Sequence, residues 1–224
     1  MLITLALPLA LLMQQQRPAI ADRLGDRVSP ELTALATQLG TAAAARGLPV
    51  DPIIQKAIEG SAKAVPVDRV AAAMRLVVSQ LDAAHGALLA GSAALGADTV
   101  AIAAGAFALT AGLKERDVAA LSRTAAPAPD VIVGLRVAGT LVALGVPPAE
   151  TVSLVQASLQ SGHPAGELLS LPEQVQTQVA RGATPAQAAA GLARAAAAQA
   201  AHGPPPGRGE GHPPPPHPTP PPHP

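Results

Sequence analysis

The sequence predicts an all-α domain built from short, alanine-rich helices. Three observations carry this. Helix-starting and helix-stopping residues alternate through the middle of the chain, apolar residues recur there at three- and four-residue steps, and no stretch shows sustained strand alternation. The expected architecture is an array or irregular bundle of such helices, followed by a disordered proline-rich C-terminal tail.

The chain opens on a continuous apolar stretch, Leu2 to Met13, too short to cross a bilayer as a helix, which needs roughly 20 residues. It fits the apolar region of an export signal, and Ala19-Ile20-Ala21 supplies an A-x-A cleavage pattern directly before Asp22. Residues 1–21 are therefore expected to be a signal peptide and 22–28 a short linker. The stretch lacks the usual basic residue ahead of it, so a core or amphipathic helix is the alternative reading.

Helix starts then recur. Ser29-Pro30-Glu31 and Asp51-Pro52 place a capping oxygen before a first-turn proline, and Thr184-Pro185-Ala186-Gln187 has the form of a capping box. Gly47, Gly112, Gly145, Gly162 and Gly182 stand where helices should stop. Between them, Val70, Met74, Val77, Leu81 and Leu88 form one helical stripe, and Val131, Leu135, Ala138 and Val142 another. Arg69, Arg75, Asp82 and Arg136 fall off these stripes, as solvated positions do. Ala83 to Leu113 carries one ionisable acid, Asp98, and no Lys or Arg. It is expected to form the densest part of the core as two helices, with Asp98 capping the second, and not to insert stably in a membrane.

Turns at Gly47-Leu48-Pro49, Gly96-Ala97-Asp98 and Gly145-Val146-Pro147 are spaced by 49 residues. A second set, at Val65-Pro66, Leu113-Lys114 and His163-Pro164, follows about 17 residues later. This beat suggests degenerate helical repeats of about 49 residues. The helical domain is expected over residues 29–201.

From residue 202 the composition changes to proline runs punctuated by His212, His217 and His223. Proline fixes φ and removes the amide donor, so an extended arm of about 3.1 Å per residue is expected. The three histidines are the candidate metal ligands. Stiff spacing by five and six residues does not gather them round one ion, and a solubilising spacer is the other reading.

Composition excludes several function classes. Lys plus Arg and Asp plus Glu both number 15, which leaves no basic excess for a broad nucleic-acid surface. Phe107 is the sole aromatic residue, so base stacking has no platform, and without cysteine there is no disulfide, thiol nucleophile or lipoprotein anchor. Zinc-protease, nucleophile-elbow and phosphate-loop motifs are missing. Ser61 and Lys63, two residues apart, would point to different sides of a helix. Asp82 and His85 could share a hydrogen bond, but no nucleophile accompanies them. His163, in a turn before Pro164, is equally alone.

Glu59, Lys63, Asp68 and Arg69 form the densest charge group in the apolar middle. They are a candidate polar recognition patch; the alternative is that Lys63 complements one helix end and Asp68 caps the next. The resulting expectation is an exported, non-enzymatic interaction or scaffold protein of the bacterial envelope, periplasmic or secreted, with a protein partner and no cofactor. A metal-binding protein using the tail and a hydrolase acting through His85 are the alternatives.

Overall fold

The computed structural model describes residues 19–202. α1 (Ile20–Leu24) and a 3-10 turn (Gly25–Arg27) lead into α2 (Pro30–Ala45), α3 (Asp51–Ala62) and the long α4 (Val67–Gly91). The short α5 (Ala93–Gly96) precedes α6 (Thr99–Ala111), α7 (Glu115–Ser122), α8 (Ala128–Ala143) and α9 (Pro148–Gln160). After these come α10 (Ala165–Leu168), α11 (Leu171–Ala180) and α12 (Pro185–His202). No strand occurs among the described residues, and none of their helices is long and apolar enough to cross a membrane. Residues 1–18 and the tail with His212, His217 and His223 lie outside the described residues.

Each helix packs chiefly on neighbours close in sequence. α3 lies against α4, α4 against α6 and α7, α6 against α8, α8 against α9, and α9 against α12, which also meets α11. Local order of this kind follows from short connections, and one continuous apolar core runs through the array. The expected stripes are its spine: Val70, Met74, Leu81 and Leu88 of α4 are buried, as are Val131, Leu135 and Ala138 of α8. α6 is apolar nearly all round, which suits a helix held between α4 and α8. Asp98 caps it, accepting from the amides of Val100 (2.7 Å) and Ala101 (3.2 Å).

Alanine contributes little transfer energy on burial, so close backbone packing has to supplement it. Glycines supply that approach. A Cβ built on Gly60 would lie 2.5 Å from Val70 of α4, one on Gly105 3.2 Å from Ala84, and one on Gly134 3.1 Å from Val155 of α9. α1 uses the same device: Ile20 seats its side chain 2.5 Å from where a Gly40 Cβ would stand. The segment expected to be a linker is thus part of the packed structure, since Leu24 and Val28 are buried beside α2. Helical order begins before Ser29.

Helix starts follow the sequence at Ser29, whose Oγ accepts from the Leu32 amide (3.4 Å). At Thr184 and Gln187, each side chain accepts from the other's amide. Two expected caps are otherwise placed. α3 begins at Asp51 itself, with Val50 as the flanking residue, and the Asp51 carboxylate pairs with Arg23 at 2.6 Å. Asp68 sits one residue inside α4, after Val67, and caps nothing through its side chain; its charge still complements the positive helix end.

Five helix ends share one turn. At Gly47, Gly112, Gly145, Gly162 and Gly182 the backbone is left-handed, as expected, and the following amide reaches back five residues: Leu48 to Ala43, Leu113 to Ala108, Val146 to Leu141, each near 3.0 Å. Leu48, Leu113 and Val146 are buried, which explains the large apolar residue after three of these stops. Ala64 makes the same turn at φ 51° with the Val65 amide bonded to Gly60. An L side chain there costs about 1–2 kcal/mol. Ala64→Gly should therefore raise stability by about 1 kcal/mol in thermal unfolding followed by circular dichroism, an unchanged or lower melting point being the contrary result.

Gly96 departs from this pattern. It ends α5 with no left-handed residue, and its missing Cβ makes room for Leu89. Of the first set of expected turns only Gly47 and Gly145 therefore match, without the middle one, while the second set shares the turn throughout, at Ala64, Gly112 and Gly162.

Candidate functional site

Most large apolar side chains are inside, and the exceptions are informative. Leu76 is 58 % exposed and Phe107 46 %, and both line one groove of about 720 Å³. Four helices build it. α4 contributes Ala73, Leu76, Val77 and Gln80, spaced so that they lie on one face over about two turns. From α6 come Ala103, Phe107 and Thr110, from α3 Gln55, Lys56 and Glu59, and from α8 Arg136 and Thr140.

Phe107 owes its position to α8. A Cβ on Gly139 would lie 2.6 Å from the ring's Cε1 and 3.2 Å from the Ala108 backbone, so only glycine lets the ring rest against that helix. Leu76 lies off the α4 stripe and so faces away from the core. Ala73, Ala103, Ala104 and Ala106 line the groove beside Val77 and Leu81, and side chains so small leave it open. Thr110 Oγ1 donates to Gln80 Oε1 at 2.8 Å across the α4–α6 contact.

Charge lines the rim. Glu59 accepts from Lys56 (2.7 Å) and Lys63 (2.6 Å), and these two hydrogen bonds, Lys56 first, with the lysine charges behind them, hold its carboxyl down to about 2. Glu59 is therefore ionised at any physiological pH. Arg136 has no carboxylate within 4 Å among the described residues.

The sequence-derived patch is brought together in part. Glu59 and Lys63 pair, while Asp68 and Arg69 are exposed in the first turn of α4 and form no ion pair with them. Lys63, directly after α3, stands at the helix end where a cation is favoured. Asp82 and His85 are not linked: a single Arg46 nitrogen, Nη1, lies within hydrogen-bond distance of both Asp82 carboxylate oxygens, at 2.6 and 2.7 Å. His163 lies 2.8 Å from Gln199 Oε1 and 3.6 Å from Glu167, tying the turn after α9 to α12. Ser61 lies within α3, and Lys63 is engaged by Glu59. No group of three His, Asp or Glu among the described residues could hold a metal ion.

Sequence reasoning missed the groove because Leu76 and Phe107 come from different helices. One signal was present: Leu76 is a large apolar residue outside the Val70–Met74–Val77–Leu81 stripe.

No protein-family model matches the chain, and no curated protein or solved structure is significantly similar to it.

Proposed function

We propose that this chain is an exported, non-enzymatic interaction protein of the cell envelope, and that it meets a protein partner through the groove between α3, α4, α6 and α8. The observation that carries the proposal is that exposed Leu76 and the chain's one aromatic residue, also exposed, line the same trough. Exposed apolar groups gathered beside polar rims mark contact surfaces, whereas scattered ones need no explanation. The non-enzymatic reading is supported by the dispersal of the catalytic-type pairs, with Asp82 held by Arg46 and His163 by Gln199. Export is supported by the Leu2–Met13 stretch and the Ala19-Ile20-Ala21 pattern. Cleavage after Ala21 would also remove Ile20 from its seat over Gly40.

A photoreactive phenylalanine at position 107, in cells making the full chain, tests the contact surface; the same group at Leu169, 62 % exposed on the connection after α10, is the control. A crosslinked partner is expected from position 107 only, and Leu76→Ser should diminish it while leaving stability within about 0.5 kcal/mol. No product from 107, or equal products from both positions, would contradict the reading. Amino-terminal sequencing of envelope-fraction protein should find a new terminus near Asp22; an uncleaved chain confined to the cytoplasm would remove the export part.

A further inference from the structure

The chain is electrically balanced overall, yet the rim of the groove is not. Of the charges that line it, Lys56 and Glu59 pair and cancel, while Lys63, the second partner of Glu59, stands outside the lining. Arg136 is left over, because no carboxylate among the described residues reaches it. One surplus cation, on α8, therefore borders an apolar floor.

The shape of the floor narrows the occupant. Ala73, Leu76, Val77 and Gln80 expose about two turns of α4, a length of about 10 Å, close to the diameter of a helix. Small residues here permit the close backbone approach that joins the chain's own helices at Gly60 and Gly105. Leu76 and Phe107 project from that floor as knobs for a facing ridge. A helix with an apolar ridge satisfies the floor, and acidic residues beside that ridge satisfy the rim.

We propose that the groove takes an amphipathic helix of a partner protein whose apolar ridge covers Leu76 and Phe107 and whose flanking carboxylate pairs with Arg136. The proposal rests on the groove being the contact surface, and it adds the sign of charge and the secondary structure of what binds. The guanidinium offers two parallel donors to a carboxylate, which gives direction as well as attraction. Lysine at the same place on the partner would meet a like charge.

Calorimetric titration of the full chain with two blocked, alanine-based helical peptides tests this. Both carry leucine at three- and four-residue steps; one has glutamate beside the leucines and the other lysine. The glutamate peptide should saturate a single site and bind about tenfold or more tighter than the lysine peptide. Arg136→Glu, at an exposed position, should reverse the order while circular dichroism shows the helices intact. Equal affinities, no saturable binding of the glutamate peptide, or an order unchanged by Arg136→Glu would each overturn the acidic helix. Crosslinking from position 107 without peptide discrimination would leave the contact surface standing and remove only its acidic partner.

Discussion

Leu88→Ala is expected to lower the free energy of unfolding by about 2–5 kcal/mol, a large share of what a domain of this kind possesses. Leu88 is fully buried in α4, and its Cδ1 lies close to Gly105 of α6, where the two helices cross. Much of the surrounding core is alanine, so neighbouring side chains have few atoms with which to fill the space left behind. The few large buried groups, among them Met74, Leu81, Leu121, Leu135 and Leu141, therefore carry much of the burial energy. Denaturant unfolding followed at 222 nm measures the effect. The same substitution at Leu76, also on α4 and exposed, supplies the contrast and should change stability by no more than about 0.5 kcal/mol. Equal losses at the two positions would contradict the burial of Leu88 on the inner face of α4.

Gly91→Ala adds a single methyl group and is nonetheless expected to destabilise by about 1–3 kcal/mol. The added Cβ would stand 2.7 Å from the carbonyl oxygen of Ala119 and would also collide with the Ser122 side chain. Serine can rotate; the backbone of α7 cannot move without disturbing Val118 and Leu121, which are buried beside it. Helix propensity alone favours alanine over glycine by about 1 kcal/mol, so the sign of the result separates the two effects. Ser122→Ala paired with Gly91→Ala should recover only part of the loss, because the Ala119 carbonyl remains. A more stable Gly91→Ala protein would place α7 farther from α4 than the fold requires.

Local chemistry was legible in the sequence, and tertiary chemistry was not. Ser29, Asp98 and the Thr184–Gln187 pair cap helices because a short polar side chain reaches amides two or three residues ahead, a contact that spacing alone determines. The five left-handed glycines were readable for the same reason. Ala64 escaped notice because alanine seldom marks such a turn; the Val65-Pro66 pair after it is the part of the signal that survives. Asp51 and Asp68 looked like caps, but each lies inside its helix, where one residue of shift sends the side chain elsewhere: Asp51 to Arg23, 28 positions away. Asp82 illustrates the same limit, since its partner Arg46 is brought in by the packing of α2 on α4. The groove is the extreme case. Phe107 was visible as the lone aromatic and would ordinarily be placed inside; its exposure follows from Gly139, 32 residues on, which lets α8 pass beneath the ring.

The groove and the Leu88→Ala prediction both depend on α6 being held between α4 and α8. Hydrogen–deuterium exchange on the full chain reads that arrangement directly. Amides of α6 should be among the slowest, exchanging only when the whole array opens, while those of α1 and the helix-joining turns exchange first. Exchange in α6 as fast as in α1 would contradict the account, because a helix so apolar on every side stays protected only if its neighbours cover it.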